Sequence, residues 1–360
     1  MYEEIGATSI SSESMKRTSV AVKEAQAAFK PLPRYVWNQC LLSPGQVTFL
    51  VGEAHVSVNI PSLTIEDYVV ADSHNVQCGL AEVPLQETVQ VGLQNEKLFI
   101  GGMEIEREDR EWQWPANIGE PVGQEFVLPP IHPSLLAAAS PDQTRDNLHA
   151  IYVSPKTGKM CASNGHILVE FPLGYRALHD GGVIPLEVMQ VVQKLGEVRV
   201  QLYSVDGVTG FAVLTSKTAE IITPLAGEFP DYDQVMPKSI DKEIKLPKKQ
   251  LLELLKKWMK TLKAEWFNGR SPGLKCTGKG DTLEIEVEHK GVKLIERLAV
   301  PGVGDSVWGI NCKYLRTILE AFPGEVLMKI GANGKDGTLD TPMLFTDGSI
   351  RAVAMPMRIF

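Results

Sequence analysis

The sequence predicts an α+β fold in three similar domains, residues 1–125, 126–243 and 244–360. Two observations predict it. An order of helix, hairpins, helix, hairpins returns at a spacing of about 120 residues, the mark of an internal repeat. Within each block, apolar residues switch between helical spacing and strict alternation, as expected for helices segregated from antiparallel strands.

The middle block is the clearest. LPPIHPSLLAAAS reads as a short helix, and NLHAIYVSPKTGKMCASNGHILVEF as a hairpin turning at Pro155-Lys156-Thr157-Gly158. IPLEVMQVVQKLG then places Leu186, Met189, Val192 and Leu195 at helical spacing, before VRVQLYS and GFAVLTS alternate as strands. The last block repeats that order: LPKKQLLELLKKWMKTL is a helix, GLKCTGKGDTLEIEVEHKGVKLIERLAV a meander, INCKYLRTILEAFPG a second helix, and EVLMKIG a strand. In the first block SESMKRTSVAVKEAQAAFK supplies a helix, NQCLLSPGQVTFLVGEAHVSVNI a hairpin, and VQVGLQ, KLFIGG and MEIERE later strands, but the second helix is missing or poorly marked. Boundaries are expected near Gln124–Leu128 and Asp241–Leu246.

With 44% hydrophobic and 22% charged residues the chain is ordinary globular protein, which excludes disorder and collagen-like architecture. No apolar run approaches the roughly 18 to 20 residues that cross a bilayer, and the opening residues lack a basic and an apolar signal region, so the expected compartment is the cytoplasm. The five cysteines are widely spaced and form no C-x-x-C pair, which argues against a disulfide framework or zinc site. The net charge of −8 argues against a nucleic-acid partner until it is divided along the chain. Residues 1–125 carry 8 cations against 18 anions, residues 126–243 carry 9 against 13, and residues 244–360 carry 19 against 13, so the last third is basic.

Local signatures of phosphate, dinucleotide, zinc, acyl-transfer and calcium chemistry are all missing. Gly278-Lys279-Gly280 and Gly334-Lys335-Asp336 read as hairpin turns, and Glu104-Ile105-Glu106-Arg107-Glu108-Asp109 as an exposed strand and its turn. The seven histidines are scattered singly. No nucleophile, base or metal constellation emerges, and the expectation is a protein that is not an enzyme and needs no cofactor.

Several segments together resemble the bacterial β sliding clamp, the processivity subunit of DNA polymerase III. Val353-Ala354-Met355-Pro356-Met357-Arg358-Ile359 resembles that family's V-V-M-P-M-R-L, and Gly227-Glu228-Phe229-Pro230-Asp231-Tyr232 its G-x-F-P-D-Y turn. Arg145-Asp146-Asn147-Leu148 resembles R-x-x-L, Ala162-Ser163-Asn164-Gly165-His166-Ile167-Leu168 resembles A-T-D-G-H-R-L, and Ile310-Asn311-Cys312-Lys313-Tyr314-Leu315 resembles F-N-x-x-Y-L. These lie in order over residues 128–360; in the first third Lys30-Pro31-Leu32-Pro33 with Asn38 and Leu41-Leu42 resembles R-P-x-L-P-I-L-x-N-L-L, interrupted by Arg34 and Trp37.

The resemblance implies three clamp domains whose helices line a ring with antiparallel sheets outside, formed by a head-to-tail homodimer around duplex DNA held without regard to sequence. Its implied partners are a replicative polymerase, a clamp loader and other proteins carrying short extended peptides of the Q-L-x-L-F kind. The implied peptide pocket comprises Leu148, Ser163, Gly165, His166, Ile167, Leu168, Asn311, Tyr314, Val353, Met355, Pro356, Met357 and Arg358. Methionines suit such a pocket because they repack at little cost. Ile167 stands where the family usually has Arg, which would make that rim more apolar, and Phe360 extends past the usual end.

For DNA the implied set is Lys16, Arg17, Lys23, Lys30, Arg145, Lys194, Lys249, Lys256, Lys260, Lys263, Lys313 and Arg316. In helix 248–263, Leu251, Leu254, Leu255, Trp258 and Leu262 make the buried stripe while the lysines recur on another face. Helical geometry would bring Lys16 and Lys23 to one side, with Lys30 at or past the helix end. Without the resemblance, such a stripe reads as a solvated face and MPMR as a terminal core strand. Met103, Ile105 and Leu274 are the candidates for the ring interface on edge strands. The competing functional reading is a clamp-like adaptor or decoy that binds the same peptides without closing a ring.

Overall fold

The succession β-α-β-β-β-β-α-β-β-β occurs three times in the computed structural model, which describes residues 17–32, 39–82, 86–94, 97–108, 111–115, 117–176, 181–261, 272–289, 291–332, 334 and 338–358. The first occurrence runs β1 (Arg17–Ala21), α1 (Val22–Phe29), β2 (Cys40–Ser43), β3 (Gln46–Val51), β4 (Ala54–Asn59), β5 (Val69–Ala71), α2 (Ser73–Gln77), β6 (Thr88–Gln94), β7 (Lys97–Ile100) and β8 (Met103–Glu106). The second runs β9 (Glu120–Leu128), α3 (Pro133–Ala138), β10 (Ala150–Ser154), β11 (Lys159–Ser163), β12 (Ile167–Pro172), β13 (Gly182–Pro185), α4 (Leu186–Leu195), β14 (Val198–Val205), β15 (Val208–Thr215) and β16 (Ala219–Pro224). The third runs β17 (Lys242–Leu246), α5 (Lys248–Thr261), β18 (Gly273–Lys279), β19 (Thr282–His289), β20 (Val292–Ala299), β21 (Ser306–Asn311), α6 (Cys312–Ala321), β22 (Val326–Ile330), β23 (Met343–Thr346) and β24 (Arg351–Ala354). The expected boundaries fall inside β9 and β17, the strands that open the second and third occurrences.

Compactness divides the chain into two units, residues 1–131 with 177–226, and residues 132–176 with 227–360. Sheets shared between repeats are the reason. In the first unit one antiparallel sheet runs β5-β2-β3-β4-β16-β15-β14-β9, so the first repeat is zipped to the second through β4 and β16; a second sheet runs β1-β6-β7-β8. In the second unit β10-β11-β12-β24-β23-β22-β17 joins the second repeat to the third through β12 and β24, and another sheet runs β20-β19-β18-β21.

Two expectations for the first third are corrected. The helix expected across residues 12–30 begins only at Val22, because Thr18, Ser19 and Val20 enter β1 and pair with Val91, Gln90 and Val89 of β6. Its buried stripe is Val22, Ala25, Ala28 and Phe29. Lys23 lies on α1, while Lys16, expected on the same helix face, lies outside the described residues. The second helix is present: the Asp72 side chain accepts from Asn75 N–H at 2.8 Å to cap α2, which runs on into a π-helical turn, Cys78–Glu82. Val76 and Leu80 bury one side of it. Gly79 abuts Ile100 of β7 so closely that a Cβ there would lie 2.7 Å from Ile100 Cγ2.

The other helices follow the expected periods. α4 buries Leu186, Val188, Met189, Val191 and Val192, and α5 buries Leu251, Leu254, Leu255 and Trp258; Leu262 lies outside the described residues. α6 opens at Asn311, whose side chain accepts from the N–H groups of Lys313 (2.9 Å) and Tyr314 (3.3 Å). No described helix is long and apolar enough to cross a membrane.

Candidate functional site

The second unit assembles most of the expected pocket around the joint between β12 and β24. Leu168 lies opposite Val353, and with Cys161 the two form a buried apolar cluster. Strand alternation puts Glu170 and its opposite number Arg351 on the same face. Tyr152, Phe229, Tyr232, Met236 and Leu344 pack against the cluster. Phe229 stacks on Tyr152 with ring centroids 5.3 Å apart.

The loop before β12 is fixed by its own polar side chains. Asn164 Oδ1 accepts from the N–H groups of His166 (3.0 Å) and Ile167 (3.1 Å), and Ser163 Oγ donates to the Ile167 carbonyl at 2.8 Å. Gly165 supplies the left-handed turn at φ +86°, where a side chain would be strained. The outcome is that His166 is held against Tyr314 of α6, rings 5.8 Å apart and 22° from parallel. Burial raises the Tyr314 phenol above its ordinary value. The chain leaving β24 is pinned twice, by Met355 N–H to the His166 carbonyl (2.9 Å) and Met357 N–H to the Gly309 carbonyl (2.9 Å). Both methionine side chains stay open to solvent, at 41% and 38% exposure. The arrangement is an apolar floor with two exposed thioethers and a His–Tyr wall, which can receive apolar side chains of an extended segment.

Other expected pocket residues sit differently. Leu148 is buried, its N–H bonded to the Arg145 carbonyl in the turn before β10. Ile167 is 1% exposed and, one residue from Leu168, lies on the opposite face of β12, so it adds nothing to an exposed rim. Pro356 is half-buried and Arg358 exposed.

Beside the cluster, on the same face of the sheet, lies an ionic network that the sequence reading missed. Glu170 is buried and accepts from Arg351 Nε (2.7 Å) and an Arg351 terminal nitrogen (2.8 Å), with Lys159 Nζ at 3.2 Å. Burial pushes the Glu170 carboxyl up, but Arg351 and Lys159 pull it down further, leaving it below its ordinary value. Tyr232 bonds to the same carboxylate, and burial with that charge raises its phenol. The signal in sequence was G-E-F-P-D-Y itself, which served as a family marker and not as a wall of the site.

The expected cations divide by element. Lys249, Lys256 and Lys260 are exposed on α5, Lys313 on the first turn of α6, Lys194 in the last turn of α4, and Lys23 and Lys30 on and just past α1. Arg316 pairs with Glu320 at 2.8 Å and places another nitrogen 3.6 Å from Met259 Sδ of α5. Arg145 turns to the pocket loop, donating to the Asn164 carbonyl at 3.3 Å. Lys16, Lys263 and the Arg17 side chain lie outside the described residues. Of the interface candidates, Met103 and Ile105 are on β8, an edge of its sheet. Leu274 is not at an edge: it is 1% exposed on β18, with β19 and β21 on either side. The edges of that sheet are β20 and β21.

The sequence matches no protein-family model and no curated protein sequence. Its structure does match solved ones. It is similar to the DNA polymerase III β subunit of Thermotoga maritima, at 16% identity and a TM-score of 0.75 over 96% of this chain and 100% of that one. It is similar to the Bartonella birtlesii sliding clamp bound to griselimycin, at 17% identity and a TM-score of 0.75 over 96% and 100%. The Caulobacter crescentus β sliding clamp, with polyethylene glycol bound at a region assigned to β-motif tethering, gives 16% identity and a TM-score of 0.74 over 96% and 99%. The fold is therefore that of the DNA polymerase III β-subunit sliding clamps, at a sequence distance that makes this chain a divergent example of it.

Proposed function

We propose that this chain is a DNA sliding clamp, a non-catalytic processivity factor that closes head to tail with a second copy around duplex DNA. Its repeats are taken as its domains, residues 1–125, 126–243 and 244–360. One observation carries the reading. Each junction between repeats uses the same pair of edges, β4 with β16 and β12 with β24. Among the described residues, the strands that correspond to these and keep one edge open are β8 of the first repeat and β20 of the third. A chain that leaves one of each can make a third junction of the same kind with another copy, and a heterologous contact that closes by rotation gives a ring. Exposed edges of this kind are otherwise an aggregation hazard. On β20, Val292 and Ile295 are 46% and 48% exposed.

Inside such a ring the lysines of α1, α4, α5 and α6 face the phosphates at a distance, giving retention without base reading. Topological linkage supplies the residence time that a chain of net charge −8 cannot obtain from attraction alone. The surface of Leu168, Val353, His166, Tyr314, Met355 and Met357 receives the peptides of a polymerase, a clamp loader and other partners, and cytoplasmic DNA is where the assembly acts. The test is retention: protein loaded on nicked circular DNA stays bound and leaves once the circle is cut. Equal loss from circle and linear DNA overturns encirclement, and peptide binding by a persistent monomer favours the adaptor reading. Met355→Ala is expected to weaken binding of a Q-L-x-L-F peptide about tenfold.

A further inference from the structure

The symmetry that pairs β4 with β16 and β12 with β24 also puts individual residues in correspondence. In the second unit Leu168 faces Val353 and, two residues along, Glu170 faces Arg351. In the first unit His55 faces Ile222 and Ser57 faces Glu220. The place of the pocket floor is thus taken on the first sheet by His55 and Ile222. There the surface is already covered. In the segment that follows β8, Trp114 lies nearly flat on the His55 ring, centroids 5.3 Å apart and planes at 22°. Trp112 meets the same ring edge-on at 5.7 Å, and the two indoles meet each other at 6.2 Å. Alternate residues of an extended chain point to one side, which is how a short segment delivers both rings to one spot.

We propose that Trp112–Pro115 is a ligand in cis, closing on the first sheet a second peptide-binding position that corresponds to the Leu168–Val353 pocket of the second. The proposal rests on the peptide-binding reading of that pocket. Two features mark the segment as a displaceable occupant. Residues 111–115 belong to no helix or strand, and both indoles remain partly exposed. Among the described residues, His55 Nδ1 and Trp112 Nε1 are buried with no hydrogen-bond partner, so the contact forgoes polar compensation and rests on ring packing. The corresponding connector over the second sheet is tied down instead, by Tyr232 to Glu170 and by Asn147 Nδ2 donating to the Glu228 carbonyl at 3.2 Å. The position accepts a short extended peptide that presents two aromatic rings two residues apart, one of them to stack on a neutral imidazole.

The experiment uses the full chain carrying Trp112→Ala and Trp114→Ala, titrated with a fluorescein-labelled peptide EWQWPAN and followed by anisotropy beside the unaltered protein. Saturable binding of one peptide per chain is expected in the variant, at least tenfold weaker in the unaltered protein, and reduced again by adding Ile222→Lys. A variant with unaltered far-UV circular dichroism that fails to bind overturns the proposal. Equal binding by both proteins also overturns it, because the peptide is then held elsewhere. If the variant does not fold, hydrogen exchange on the unaltered protein decides: amides of residues 111–114 opening at lower cost than those of β4 and β16 support a displaceable segment, and exchange only through global unfolding overturns it. Failure of the pocket reading shows separately, as a Q-L-x-L-F peptide indifferent to Met355→Ala.

Discussion

At the scale of single residues, two buried polar groups contribute to how stability responds to pH and to substitution. His55 is buried under two indoles, and burial lowers its pKa from 6.5 to about 4. A base with a depressed folded pKa is protonated first in the unfolded chain, so its burial costs nothing above the unfolded value and destabilises progressively as pH falls from 6.5 toward 4. The expected slope from this group is about 1.4 kcal/mol per pH unit within that window. His55→Phe, which keeps a ring for Trp114 to stack on, removes that part of the slope, read from urea midpoints between pH 7 and 4. Glu170 works in the opposite sense, its lowered pKa contributing stability above the unfolded value of 4.5 that is lost as pH falls below it. Glu170→Gln leaves Arg351 without its bidentate partner; because Arg351 is about a third exposed, the expected loss is about 2 kcal/mol, less than for a fully buried pair. Neither group was legible in the sequence. Glu170 sits in an apolar strand with nothing nearby in the chain to announce Arg351, 181 residues away, and His55 was one of seven scattered histidines.

At the scale of elements, legibility followed local periodicity. The stripes of α4, α5 and α6 and the alternation of most strands were readable because each pattern is contained within about ten residues. The second helix of the first third was not, and Gly79 explains why: a glycine inside Ser73–Glu82 reads as a breaker, whereas the fold needs it for the close approach of Ile100. Burial of Val76 and Leu80 then offsets the poor intrinsic propensity of Ser, His, Asn and Gly. Gly79→Ala improves propensity and is nevertheless expected to destabilise by about 1–3 kcal/mol through overpacking. Combining it with Ile100→Ala, which removes the obstructing methyl, should cost less than the two separate losses added together, and a double-mutant cycle measures that difference. The first helix failed for the complementary reason. Its Ala-rich core reads as helical well upstream of Val22, and only the long-range pairing of β1 with β6 turns Thr18 to Ala21 into a strand.

At the scale of the whole molecule, the repeat was visible in sequence but the units of compactness were not, since pairing between β4 and β16 and between β12 and β24 joins strands far apart in the chain. The same topology places Met103 and Ile105 on β8, an edge strand whose Ile105 side chain is itself buried, and explains the mistake over Leu274. That leucine alternates as an edge anchor would, yet β18 is covered on both sides, and its apolar face belongs to the core of its own sheet. The two sites should therefore fail in different ways. Ile295→Lys puts a charge on the exposed face of β20 and should lower the mass seen by light scattering from twice the chain mass of 39.6 kDa to that of one chain upon dilution, while leaving the urea midpoint of the isolated chain nearly unchanged. Leu274→Ala removes buried side-chain volume and should cost about 2–5 kcal/mol of stability with no selective loss of dimer at temperatures where the chain remains folded. A protein in which Ile295→Lys leaves the dimer intact does not close through β20, and the edge argument on which the ring rests then fails.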